Sequence, residues 1–240
     1  MKTLNNVVLA ALISALSLSV QAKPVAPVLA NTANVMTKAK QSEITPDKAI
    51  ELLKEGNGRF ASGKMRKRNL PAQVKETGVN GQFPFAAVVS CMDSRAAPSL
   101  VFDQGIGDIF SARIAGNIVN EDILGSLEYA AKVAGSKAIL VLGHTHCGAV
   151  KGACDNAQLG NLTQLVAKII PAVKATPDVH GEDRSSKNHH FVDAVAETNV
   201  KMTVNTILEK SAVLKEMVDK GQIKIVGAML DVETGKVKFY

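Results

Sequence analysis

"KAILVLGHTHCG", Lys137 to Gly148, is a lysine followed by an apolar run that ends in a histidine, a turn and a cysteine. Five consecutive aliphatic residues, 138–142, fit a strand covered on both faces, as in parallel sheets flanked by helices. "FAAVVSC" (85–91) has the same character, and "DIFSARIAG" (108–116) reads as a third strand. Between the last of these and the opening run, "NEDILGSLEYAAKVAG" has helical spacing, with Asn120 as its cap and acids in its first turn. Strands alternating with helices predict an α/β fold, an open and mainly parallel sheet flanked by helices. Sites in such sheets form beyond the carboxyl ends of the strands, where both "SCMDSR" (90–95) and "GHTHCG" (143–148) fall.

The remaining elements extend this pattern. "TPDKAIELLKEGNGRFASGK" predicts a helix capped by Thr45 with Pro46 at its first position, packing on the body. "LTQLVAKIIPAVKA" predicts a helix interrupted near Pro171, and "VDAVAETNVKMTVNTILEKSAVLKEMVDKG" a long one. "KIVGAMLDVETGKVKFY" predicts a strand, a turn at Glu233 to Gly235 and a second extended piece.

At 240 residues the chain has room for one substantial core. Lys2, an uncharged apolar stretch and small residues up to Ala22 predict a signal peptide over 1–22, and hence a periplasmic or secreted protein. Residues 23–42 are expected to be a linker or mobile arm, and 43–240 a single domain. The apolar stretch of the leader is short for a bilayer span, and no later segment resembles one. Cleavage would remove one of 28 basic residues and none of 22 acidic ones, so the mature chain stays basic. With two tyrosines and no tryptophan, and "KMRKR" (64–68) reading as a solvated loop or helix end, no nucleic-acid partner is expected.

Three cysteines fit an oxidising compartment poorly, since one must stay unpaired or several must hold a metal. His144 and Cys147 flank a strand-to-helix turn, where imidazole and thiolate can point at one ion, and a helix N-terminus favours the thiolate. Cys91 ends the neighbouring apolar run. Two thiolates and an imidazole suit tetrahedral zinc, and the occupant of the fourth position separates a structural from a catalytic site. Asp93, His146 and Cys154 are the local candidates. Cys154 lies about 10 Å further along a helix and His146 points away at the turn, which leaves Asp93, with Arg95 two residues on.

In order along the chain, "CMDSR", "GDIFSARIAGN", "SLEYA" and "GHTHCGA" resemble the β-class carbonic anhydrases over roughly residues 43–240. The leader marks the exported bacterial type. The resemblance implies one Zn2+ per subunit on Cys91, His144 and Cys147, with Asp93 and Arg95 as a catalytic dyad. It implies Gln82, Phe110, Ala115 and Tyr129 at the substrate, and a homodimer or higher homo-oligomer whose N-terminal helical arm packs on the partner. The implied reaction is zinc-dependent reversible hydration of carbon dioxide to bicarbonate and a proton, with Asp93 a conditional fourth ligand in a closed state. Ile114 stands where the family has asparagine. Val88 stands where one branch has a tryptophan lining an inhibitory bicarbonate pocket, so that pocket is expected to be missing. Two other readings remain: a carbon disulfide or carbonyl sulfide hydrolase on the same site, and a non-catalytic zinc-binding module.

Overall fold

The computed structural model describes residues 33–177 and 181–240; the expected leader and the first part of the expected arm lie outside the described residues. Five strands form one sheet: β1 (Ala86–Ser90), β2 (Ile109–Arg113), β3 (Ala138–His144), β4 (Lys224–Leu230) and β5 (Val237–Phe239), in the order β2-β1-β3-β4-β5. The first four run parallel and β5 returns antiparallel to β4. The expected mainly parallel α/β sheet is therefore the observed one.

Alternation along β3 divides the core. Leu140 and Leu142 join Phe85, Val88, Leu53 and Phe102 on one face, and Ile139 and Val141 join Val89, Phe191, Val195 and Val200 on the other. The first face is covered by α2 (Pro46–Ala61), which starts as expected: Thr45 accepts the Lys48 N–H and Pro46 opens the helix. The second is covered by α9 (His189–Lys210), whose buried residues recur at spacings of three and four. Gly143 permits that contact, since a Cβ there would lie 2.5 Å from Val200 and 2.7 Å from Met229. Chain direction puts His144, Cys91 and the residues after Arg113 on one edge of the sheet.

Several elements depart from the sequence reading. Within the expected linker, α1 (Lys38–Glu43) is a short helix capped by Thr37, and its buried Gln41 donates to the carbonyls of Pro84 and Ala134 at 2.8 Å each. A single polar anchor leaves no hydrophobic period to read. α3 (Leu70–Asn80) lies in a stretch without an expected element, capped by Asn69 and buried only at Gln73. "KMRKR" is not simply solvated: Arg68 and Arg59 pair with the fully buried carboxylate of Asp103, which also accepts the Arg66 N–H at 3.2 Å. The expected long C-terminal helix is two, α9 and α10 (Ala212–Asp219), because Ser211 caps the second by accepting the Leu214 N–H and donates to Glu128.

The other helices are α4 (Pro98–Val101), α5 (Glu121–Glu128), α6 (Gly148–Cys154), α7 (Gly160–Ala167) and α8 (Ile170–Ala175). Asn120 caps α5 as expected, and a π-helical turn over Tyr129–Val133 continues it. The break between α7 and α8 falls just before Pro171. Among the described residues no helix is long and apolar enough to cross a membrane.

Candidate metal centre

The sheet register brings the chemistry together. Ser90 of β1 pairs with Leu142 of β3, so Cys91 and His144 leave adjacent parallel strands about one residue out of step. Two residues beyond the strand, His146 takes a φ of 56°, and Cys147 then falls at the N-cap of α6. The ligand atoms of Cys91, His144 and Cys147 all lie within 4.8 Å of one another, and all three residues are buried.

The donors fit a zinc ion. The two sulfurs are 4.0 Å apart, close to the roughly 3.8 Å that two 2.3 Å zinc–sulfur bonds at a tetrahedral angle require. His144 Nδ1 lies 2.8 Å from the Thr145 carbonyl, which can only accept, so Nδ1 carries the proton and Nε2 offers a lone pair. That Nε2 is buried without a hydrogen-bond partner, a cost an ion would remove. The Cys147 thiol lowers the Cys91 pKa by hydrogen bonding to its thiolate, with His144 and the backbone adding to the effect. The Cys91 thiolate and burial both raise Cys147, so one anion forms readily and the second needs a cation. Burial would lower the His144 pKa, but the nearby Cys91, the Thr145 carbonyl and Asp93 carry it upward.

Three devices hold the turn after β1. Arg95 grips Asp93 through Nε at 3.0 Å, Nη2 at 2.8 Å and its backbone N–H at 2.9 Å. Those bonds hold the Asp93 carboxyl well below the usual carboxylate range, and Asp93 Oδ2 stands 3.9 Å from His144 Nε2. Arg113 donates to three successive carbonyls, Cys91 at 3.2 Å, Met92 at 2.9 Å and Asp93 at 2.5 Å. Gly116 donates its N–H to Cys91 Sγ at 3.5 Å.

The expected site residues thus divide. Asp93 and Arg95 stand at the cluster, and Ala115 directly precedes Gly116. Gln82, Phe110 and Tyr129 do not join them. Gln82 is exposed beside Gly107, ahead of both β1 and β2, with a strand of roughly 16 Å between it and Cys91. Phe110 pairs with Ala87 near the start of β1 and meets the ring of Tyr129 at 6.4 Å. The two aromatics border an open groove of about 790 Å³ with Ala87, Ala112 and Ile123. His146 turns away as expected, its ring 4.9 Å from that of His189 and its Nε2 3.4 Å from Glu233. Cys154 is a free, half-buried thiol whose pKa burial pushes up to about 11. Arg113, at the end of β2, and Gly116, just beyond it, fall within the "GDIFSARIAGN" motif, but the motif does not say what they bind; their partners are backbone and sulfur atoms of a turn 20 or more residues earlier.

A parallel α/β sheet whose carboxyl edge gathers two thiols and an imidazole defines a metal-dependent class of site. Residues 86–237 match the family model described as carbonic anhydrase. Carbonic anhydrase 2 of Mycobacterium tuberculosis is 33% identical over 192 residues, covering 80% of this chain and 91% of that one. The β-carbonic anhydrase CafA of Aspergillus fumigatus superposes with a TM-score of 0.63 at 25% identity, over 81% of this chain and 89% of that one. A chain of one of two tetrameric β-carbonic anhydrases from Sordaria macrospora shares the fold, with a TM-score of 0.60 at 22% identity, over 77% of this chain and 93% of that one. The chain belongs to the carbonic anhydrase family, with the fold of its β class.

Proposed function

We propose that this protein performs reversible hydration of carbon dioxide with one zinc ion per subunit held by Cys91, His144 and Cys147. The observation that carries the proposal is the convergence of three buried ligand atoms with His144 Nε2 unpartnered. Zinc with three protein ligands and an open fourth position lowers the pKa of a bound water to about 7 and polarises oxygen, as it does in histidine-ligated carbonic anhydrase. The cluster supplies three donors among the described residues, and Arg95 grips the nearby Asp93, a restraint for which a non-catalytic zinc module with a permanently filled fourth position has no use.

The residues around it have separate tasks. Asp93, kept ionised and acceptor-only by Arg95, can orient a hydroxyl proton at the cluster. The Arg95 grip also holds that carboxylate from the His144 nitrogen it faces. Arg113 fixes the backbone that carries Cys91 and Asp93.

Gln82, Phe110 and Tyr129 reach a substrate only if a second subunit lends them. Leu70, Val74 and Val79 of α3 are exposed, and Tyr129 is 57% exposed beside its groove, so apolar surface is ready for such a copy. We read the working unit as a dimer or larger homo-oligomer, each sheet presenting its carboxyl edge to one site and its aromatic pair to another. The charged n-region, apolar stretch and small residues before position 23 support export.

A pH-indicator assay of carbon dioxide hydration on mature protein, with and without zinc, tests the reaction; no zinc-dependent rate above buffer would refute it. Carbon disulfide and carbonyl sulfide run in parallel separate the alternative substrates. Subunit sharing is tested by co-refolding Gln82→Leu with Cys91→Ser. Heterodimers then contain one complete site, so activity returns to about a quarter of native in a statistical mixture; sharing fails if mixing restores nothing.

A further inference from the structure

We propose that Asn199, midway along α9, is a positioning residue for the metal centre, fixing the Gly116 peptide whose N–H donates to the Cys91 sulfur. The inference rests on the metal-site reading above and adds a residue outside it. Asn199 Nδ2 donates to the Gly116 carbonyl at 2.8 Å, and the side chain is 3% exposed. Gly116 in turn donates to Cys91 Sγ. The N–H and the carbonyl belong to the two peptides that flank one Cα, so turning one re-aims the other.

Glycine is required at that Cα. Its φ is 71°, and an added Cβ would lie 2.5 Å from Ile169 and 3.4 Å from Ala149. Glycine is also the residue that resists torsion least, so the aim of its N–H depends on an outside partner. Asn199 is such a partner, standing on a buried helix face built mostly from Phe191, Val192, Val195, Ala196, Val200 and Ile207, with Thr203 its other polar residue. An amide at an apolar helix position is costly unless its hydrogen bond is made. Here the bond reaches across the domain to the loop after β2, 83 residues away in sequence.

A hydrogen bond to a thiolate draws charge from the sulfur and leaves a bound cation more electron-poor. Two thiolates supply more charge than imidazoles do, and the Gly116 N–H acts against that excess. Partners of this outer kind typically alter metal affinity or activity by 10–100-fold. Asn199 therefore sets, through the two peptides that flank the Gly116 Cα, how strongly Cys91 donates.

The test replaces zinc by cobalt(II) and reads the sulfur-to-cobalt charge-transfer bands, with chelator competition for affinity. Asn199→Leu should move the bands to lower energy, as an unrestrained thiolate donates more, and weaken binding by about tenfold, because the loosened turn no longer holds the sulfur in place for the ion. Thr203→Val, one turn along the same buried face, should leave both unchanged. Asn199→Ala carries the same expectation and stands in if the leucine variant does not fold. Native bands and affinity in the Asn199 variants overturn the proposal, as does an equal shift in Thr203→Val, which would mark general loosening. Native protein that takes up cobalt without any thiolate band would overturn the metal reading itself, and this inference with it.

Discussion

Gly116→Ala concentrates several of these arguments in one methyl group. The backbone there is left-handed, which costs an L-residue about 1–2 kcal/mol. The new carbon would sit 2.5 Å from Ile169 Cδ1, the mobile end of a fully buried side chain, and 3.4 Å from the Ala149 Cβ. Relieving such overpacking costs about 1–3 kcal/mol. Alanine's lower entropy in the unfolded chain offsets only roughly 0.5 kcal/mol of these two costs. The expected destabilisation is about 2–4 kcal/mol, or a fall of roughly 5–15 °C in Tm for a domain of this size. Calorimetry on zinc-free protein isolates that part, and chelator competition should then show zinc affinity reduced about tenfold as the N–H leaves Cys91. Gly58→Ala is the comparison. It lies in the exposed interior of α2 with nothing within 4 Å of an added Cβ, so it should stabilise by about 1 kcal/mol. A Gly116→Ala protein that melts within about 2 °C of native and keeps its zinc affinity would refute the reasoning.

Cys91→Ser should drop zinc from one per subunit to near none under mild chelator competition and remove hydration activity, checked by metal analysis beside the rate assay; retained stoichiometry would exclude Cys91 as a ligand. Arg95→Met should keep zinc but lower neutral-pH turnover about fivefold, the equivalent of roughly 1 kcal/mol for a half-exposed ion pair. With its partner gone, the Asp93 carboxyl titrates at higher pH, so the acid limb of the pH–rate profile should move up; an unmoved limb counts against the dyad. Asp103→Asn leaves Arg59 and Arg68 facing a buried neutral amide and should cost about 3 kcal/mol in urea unfolding. Burial opposes ionisation of Asp103, but Arg68, Arg59 and the Arg66 N–H outweigh it and hold its pKa low. Its stabilising contribution is thus present above the unfolded-chain pKa near 4 and lost as pH falls through the lower folded value, so native and variant stabilities should converge in acid.

The strands and the Cys91–His144–Cys147 cluster were legible because each rests on a local signal. β1 and β3 are continuous apolar runs, Cys91 and His144 sit where those runs stop, and Cys147 follows three residues on. α1 and α3 were not legible, since each buries one glutamine, Gln41 or Gln73, in place of a hydrophobic stripe. Ser211 looked like one polar residue in a long amphipathic pattern, and only its bonds to Leu214 and Glu128 reveal a helix boundary. Asn199, Arg113 and Asp103 stayed hidden for another reason: their partners are 83, 20–22 and 35–44 residues distant, and their meaning lies in pairing. The resemblance named Gln82, Phe110 and Tyr129 together with the ligands, but sequence order says nothing about which end of the sheet each occupies.

That separation has a consequence for how metal and activity respond to dilution. Cys91, His144 and Cys147 come from one chain and are buried within it, so zinc affinity should be nearly independent of protein concentration. Gln82 and the Phe110–Tyr129 pair lie toward the other end of the same sheet, so under the proposed sharing between subunits a complete pocket would require association. Below the dissociation constant of the oligomer, specific activity should therefore fall in proportion to the associated fraction while bound zinc stays at one per subunit. Stopped-flow rates, sedimentation and metal content across a dilution series measure the three quantities together. If activity per zinc held constant into the monomeric range, a single chain would contain the whole catalytic apparatus, and the division of labour between the two ends of the sheet would be wrong.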